Sequence, residues 1–210
     1  MTPTLVAIAL AYLLGSVVGS LVLGRARGVD IRTQGSGNAG GTNALRTQGK
    51  GFAALVMLID VGKGVVAAGP LALAAARWGG DPDVLRVACG AAAVVGHVWP
   101  VFFGFRGGKG AATLVGVVGA AAPVALLVLL GVFAAVLVAS GYVGLSTILA
   151  TASLAAWAAA AVPGGLASPF GAFAIGMTAF IVYTHRSNLT RMRAGNENRF
   201  ERVMLFRRRT

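Results

Sequence analysis

Charge is scarce in this chain. Only 11% of its 210 residues are Asp, Glu, Lys or Arg, where a soluble domain carries about 25%. That shortage excludes an ordinary soluble fold. Acids are scarcest, six against 18 Lys and Arg, for a net charge of +12. In a soluble protein such an excess would suggest nucleic acid. Here the basic residues gather in short loops and a tail, as the positive-inside rule requires, so no nucleic-acid partner is implied. A single cysteine, Cys89, excludes an intramolecular disulfide and any CxxC pair. The only histidines are His97 and His185, and with no His/Cys cluster neither a metal site nor a cofactor is expected.

What the chain has in abundance is apolar length, with 57% hydrophobic residues and a mean hydropathy of +0.80. A membrane span needs about 20 apolar residues. The first runs from Thr4 to about Gly24, and its basic flank, Arg25 and Arg27, follows it. It therefore reads as a retained span rather than a cleaved signal peptide. Spans two and three occupy roughly 52–76 and 84–103, separated by RWGGDPDVLR. From Ala111 to Tyr183 no formal charge appears. Two spans would be too long for that stretch. Four fit, with breaks at Ala122-Pro123, Ser140-Gly141-Tyr142 and Pro163-Gly164-Gly165.

The expected fold is thus an all-α integral membrane protein of seven transmembrane helices, one domain over residues 1–210. The basic segments 25–50, 106–110 and 186–210 share the cytoplasmic side, with the N-terminus outside and the C-terminus cytoplasmic. The bend at 140–147 returns to the same side, so every unusual polar motif is expected on one face.

Two of those motifs look like phosphate cradles. Residues 35–46 read GSGNAGGTNALR. Glycines such as Gly37 and Gly40 allow close approach of backbone amides, which form an anion-binding nest. Ser36, Asn38, Thr42 and Asn43 supply side-chain hydrogen bonds, and Arg46 can hold a phosphate through two parallel bonds. The second motif, Gly107-Gly108-Lys109-Gly110, precedes a helix expected from Ala111, and amides at a helix N-terminus beside a lysine suit an anion. It is not a P-loop, because the glycine spacing and the preceding strand are absent.

The remaining polar residues divide between support and chemistry. Asp60 and Lys63 lie three apart within the second span, where an unpaired charge costs about 2.5–3.5 kcal/mol or more. Their pairing reads as a buried ion pair supporting the first loop. His97 reads as a hydrogen-bonded structural residue. His185, followed by Arg186 and Asn188, is placed to bind a phosphate oxygen or a reacting hydroxyl. The terminal FRRRT reads as a tail attracted to anionic headgroups.

Taken in order, GVDIRTQGSGNAGGTNALRTQGKG at 28–51, DVGKG at 60–64, GHVWPVFFGFRGGKGAAT at 96–113, YVGLSTI at 142–148 and YTHRSNLTRMRAGNEN at 183–198 resemble the acyl-phosphate:glycerol-3-phosphate acyltransferase (PlsY) family of bacterial inner-membrane enzymes. The resemblance implies a seven-span bundle with a cytoplasmic active site. It also implies transfer of a fatty acyl group from acyl phosphate to the sn-1 hydroxyl of glycerol 3-phosphate, giving lysophosphatidic acid and phosphate, the first acylation of phospholipid synthesis. Membrane lipid surrounds the enzyme and no cofactor is needed. Carried over by motif, Ser36, Arg46, Lys109, His185 and Asn188 serve the substrates' phosphates and glycerol oxygens, with the loop glycines supplying amides and Thr147 a hydroxyl. The chain departs from the family pattern in reading GGTN for GATN. At the bend, Gly141 and Gly144 stand where members commonly carry an arginine and a serine. The alternative is a membrane transporter of a phosphorylated metabolite, which would favour a midplane site and inverted repeats; no internal repeat is evident. A lipid-binding scaffold would leave both cradle loops unexplained.

Overall fold

The computed structural model describes residues 3–205; the FRRRT sequence at 206–210 lies outside them. Helices and turns make up the described residues, with no strand among them. The chain divides into two compact units, Met1–Pro123 and Val124–Thr210.

In the first unit, α1 (Pro3–Gly15) and α2 (Gly19–Ala26) form a pair bent by 48°. The single span expected over 4–24 is therefore broken in its middle. After a loop come α3 (Gly41–Gln48) and the long α4 (Lys50–Ala76). Pro70 has no N–H to give, and α4 accommodates it in a wider π-type turn over Ala67–Leu71. Next is α5 (Pro82–Val98), which starts cleanly because Asp81 accepts from the amides of Asp83 and Val84 and Pro82 occupies the first helical position. The unit ends with α6 (Ala111–Ala121).

Small residues bring these helices together, as expected where lipid removes the hydrophobic drive between helices. A Cβ at Gly15 would strike the backbone of Ala93, and one at Gly96 the carbonyl of Tyr12, so α1 lies directly on α5. Gly64 and Gly116 do the same for α4 and α6, against Thr113 and Val61.

The second unit holds α7 (Pro123–Ser140), α8 (Val143–Ala161), α9 (Pro169–Thr184) and α10 (Arg186–Arg193). Its helix boundaries fall at the breaks expected from sequence. Gly141 takes a φ of +76° after α7, and Ser168 caps α9 ahead of Pro169. Trp157 of α8 meets Phe170 of α9 edge-on at 5.4 Å. α7 is apolar and largely exposed, Leu127 by 70%, as suits a helix facing lipid. Beyond α10 the chain folds back, with the Phe200 amide bonding to the Gly141 carbonyl and that of Leu205 to the Val138 carbonyl.

Among the described residues, four helices are long and apolar enough to cross a membrane, five if α1 and α2 make one span. The apolar helices α6 and α9 are shorter.

Candidate active site

The first glycine-rich loop is ordered by its own side chains. Asp30 caps the turn Ile31–Thr33 by accepting from the Arg32 amide at 2.9 Å. The Arg32 guanidinium grips the same carboxylate, Nε to Oδ1 at 3.0 Å and Nη2 to Oδ2 at 2.8 Å. That contact holds the Asp30 carboxyl below its ordinary pKa. Asn43, fully buried, is the loop's central clamp. Its Nδ2 donates to the carbonyls of Ile31 and Gln34 at 3.1 and 3.0 Å, and its Oδ1 accepts from the Ser36 amide at 2.9 Å. Gly35 and Gly37, with φ of +56° and +70°, set Ser36 at the tip of the turn, where it is exposed. Only glycine takes that backbone without strain.

From Gly41 the motif is helical, so Thr42 and Arg46, four apart, lie along one face of α3, with Arg46 exposed. Gly40 precedes that helix in extended conformation, and a Cβ there would meet the Asn38 side chain. Ser20 of α2 ties the loop to the broken helix through a buried bond to the Ala39 carbonyl, 2.8 Å.

The second loop doubles back on the end of α5. The Gly107 amide donates to the Val98 carbonyl and that of Gly108 to the His97 carbonyl, both at 3.1 Å. A Cβ at Gly107 would meet that His97 carbonyl, and one at Gly108 the His97 ring. These glycines are thus demanded by packing, and their amides, expected from sequence to serve an anion, are instead bonded to the end of α5. Lys109 is half-buried between Gly108 and Gly110, the residue that precedes α6.

The two loops are joined. Arg32 Nη1 donates to the carbonyls of Phe103 and Arg106 at 3.0 and 3.1 Å, and Arg25 lies over the Phe103 ring at 4.3 Å. Residues 30–46 and 103–110 therefore form one assembly carrying Ser36, Arg46 and Lys109. Sequence reasoning counted Arg32 only as positive charge; its place two residues after the loop's lone acid was the available signal.

Beneath the loops lies the ion pair expected from sequence. Lys63 Nζ sits 3.0 Å from Asp60 Oδ1, both side chains buried. The pair does more than neutralise itself. Lys63 also donates to the carbonyls of Gly15 and Val17 at 2.8 and 2.9 Å, while Asp60 Oδ1 accepts from the Gly19 amide at 3.0 Å. The helix break thereby finds partners for groups that would otherwise be costly to bury in a bilayer. His97 joins through Nδ1, 2.9 Å from Lys63 Nζ.

Thr147, His185 and Asn188 belong to the second unit. Thr147 is buried and bonds to the Val143 carbonyl of its own helix at 2.9 Å. His185, also buried, places Nδ1 2.9 Å from the Ile181 carbonyl. A carbonyl can only accept, so Nδ1 carries the proton in that bond. Asn188 Nδ2 donates to Glu197 Oε1 at 2.9 Å, and Arg191 Nε to Oε2 at 2.6 Å. Glu197 was not singled out from sequence, although it is one of only two acids after residue 185.

The departures at the bend also have partners. A Cβ at Gly144 would press on Asn188 and one at Gly141 on Met204. Arg199 reaches the Ser140 carbonyl at 3.2 Å and lies over the Tyr142 ring at 4.9 Å.

A glycerol-3-phosphate acyltransferase family model matches residues 5–195. The glycerol-3-phosphate acyltransferase of Geotalea daltonii is 40% identical over 202 residues, covering 96% of this chain and 100% of its own. That of Aquifex aeolicus is 42% identical over 191 residues, covering 90% and 95%. Among solved structures, the crystal structure of PlsY, an integral membrane glycerol 3-phosphate acyltransferase, in its glycerol 3-phosphate form is similar with a TM-score of 0.83. It is 39% identical, and the match covers 94% of this chain and 95% of that one. The lysophosphatidic acid form gives 0.81 at 38% identity, with the same coverage. With its fold, both glycine-rich loops and nearly its whole length matched, the chain belongs to the glycerol-3-phosphate acyltransferase family.

Proposed function

We propose that the protein transfers a fatty acyl group from acyl phosphate to the sn-1 hydroxyl of glycerol 3-phosphate, at the cytoplasmic face of a bacterial inner membrane. The observation that carries this reading is the Arg32 tether between two glycine-rich loops, one bearing Arg46 and the other Lys109. Both proposed substrates are phosphate anions, so two cradles, each with a cation, match the chemistry. Membership of the family supports the acceptor, since PlsY has a glycerol 3-phosphate form and a lysophosphatidic acid form.

Acyl phosphate is an activated mixed anhydride and needs no protein nucleophile. The glycerol oxygen attacks the acyl carbonyl, an ester C–O bond forms, the acyl–phosphate bond breaks, and phosphate leaves with the electron pair. The Ser36 hydroxyl stabilises the oxyanion, with Gly37, Asn38, Gly40 and Thr42 lining the first cradle and Gly107, Gly108 and Gly110 the second. Arg46 and Lys109 hold the phosphates in place, and orientation is the principal catalytic task. The hydroxyl proton passes to the departing phosphate or to His185. Asn188 binds substrate oxygens. Asn43 acts through the loop it clamps, and Thr147 supports the bend.

Seven crossings follow if the bent α1–α2 pair is one span and the shorter α6 and α9 are two more. The N-terminus then lies outside and the C-terminus inside. The test is purified protein in detergent given glycerol 3-phosphate with either acyl phosphate or acyl-coenzyme A. Lysophosphatidic acid from acyl phosphate alone, without a burst or a trapped acyl-Ser36, is expected. Product only from the thioester, or an isolated acyl-enzyme, would overturn the donor or the direct mechanism respectively.

A further inference from the structure

We infer that Lys63, with Asp60 and His97, is a positioning residue for acyl transfer: the buried cluster sets the first glycine-rich loop against the second. This rests on the function proposed above.

Two chains of contacts leave the cluster. Asp60 Oδ1 takes the Gly19 amide at the start of α2. The next residue, Ser20, reaches the Ala39 carbonyl within the first loop. In the other direction Lys63 Nζ meets His97 Nδ1. The His97 carbonyl accepts the Gly108 amide, and the His97 ring packs where a Gly108 side chain would be, one residue from Lys109. One ion pair is therefore linked to both loops through short, buried connections. Two further bonds reinforce the link from the break to the approach of the second loop: Tyr12 Oη to the Trp99 carbonyl at 2.7 Å, and the Val101 amide to Ser16 Oγ at 3.3 Å.

Stability alone does not explain this arrangement. A buried ion pair gains little over well-packed apolar residues, and an unbroken apolar helix would leave no backbone groups to satisfy. What the break supplies is direction: the 48° bend aims α2 and Ser20 at the first loop. Lys63 has three N–H donors facing Gly15 O, Val17 O, Asp60 Oδ1 and His97 Nδ1, so it locks the bend and addresses His97 at once.

The experiment compares wild type with His97→Ala, His97→Gln, Ser20→Ala and the paired change Asp60→Asn with Lys63→Gln. Each is read by steady-state kinetics, melting temperature and hydrogen exchange. His97→Ala and Ser20→Ala leave the ion pair intact and decide the matter if the paired change does not fold. In folded His97→Ala, kcat falls by about tenfold or more with KM for glycerol 3-phosphate within about threefold, the signature of misplaced groups. Exchange at 107–110 quickens, and His97→Gln recovers most of the rate. Ser20→Ala quickens exchange at 38–41 instead. The inference is overturned if folded His97→Ala and Ser20→Ala both keep kcat within about twofold of wild type, or if neither loop's exchange changes. An inactive wild type would remove the proposed reaction, while the exchange data would still read the link between cluster and loops.

Discussion

Arg32 donates from Nη1 to the backbone carbonyl of Arg106 at 3.1 Å, so a side chain of the first glycine-rich loop closes on the backbone of the second. The bond is made by a planar fork already seated on Asp30, a geometry lysine cannot copy. Arg32→Lys and Arg32→Ala should each lower kcat/KM by about tenfold by loosening the paired cradles. Stability should fall by only about 1 kcal/mol, because a charged hydrogen bond of about 1.5–3 kcal/mol is discounted for a guanidinium 24% exposed. Kinetics beside thermal melts would separate the two.

Asp30 gives the tether a pH dependence of known sign. The Arg32 hydrogen bonds lower its pKa from 3.8, so the carboxylate's contribution is complete above that value and is lost as pH falls through the lower, folded one. Wild type should lose melting temperature in that acid range more steeply than Asp30→Asn, and the two should run parallel near pH 7. Parallel curves throughout would show that the pair does not form.

Glycines in this chain are of two kinds, and alanine tells them apart. Gly108→Ala would drive a methyl into the His97 ring. The expected cost is about 1–3 kcal/mol for overpacking, with at least about a tenfold loss of rate. Gly62, inside α4, has nothing near its absent Cβ. Gly62→Ala should stabilise by up to about 1 kcal/mol with activity unchanged.

Glu197 holds both Asn188 and Arg191 while itself largely buried, its side chain 6% exposed. Glu197→Ala removes the acceptor that Asn188 and Arg191 share and should cost about 1–3 kcal/mol. Because Asn188 loses its orientation, turnover should fall even at temperatures where the variant is fully folded. A variant that melts early yet turns over normally when folded would remove Asn188 from the reaction.

Much of this architecture is written locally. Pro123, Gly141 and the Pro163–Gly165 run end helices through their own backbone restrictions, so the breaks in the uncharged stretch are legible from sequence. The break after Gly15 is not. Nothing in GSVVGS forbids a continuous helix, and the partners that stabilise the bend, Asp60 and Lys63, lie more than 40 residues away. The ion pair itself could be read from its spacing; its second task could not. The same holds for Asn43. Its residue type fits a ligand-binding loop, but its geometry is that of a clamp on the loop's own backbone, because the turn of Gly35 and Gly37 brings Ser36 back to it. Short glycine-rich motifs announce a cradle without saying which side chains build it and which face the ligand.

The central claim is that Arg46 and Lys109 hold phosphate on two joined loops during acyl transfer. The most direct test is formation of lysophosphatidic acid from acyl phosphate and glycerol 3-phosphate by purified wild type, Arg46→Ala and Lys109→Ala, each confirmed as folded by its melting temperature. The account predicts product from wild type and a loss of at least about a hundredfold in either variant, without loss of fold. Wild-type rates in both folded variants would contradict it.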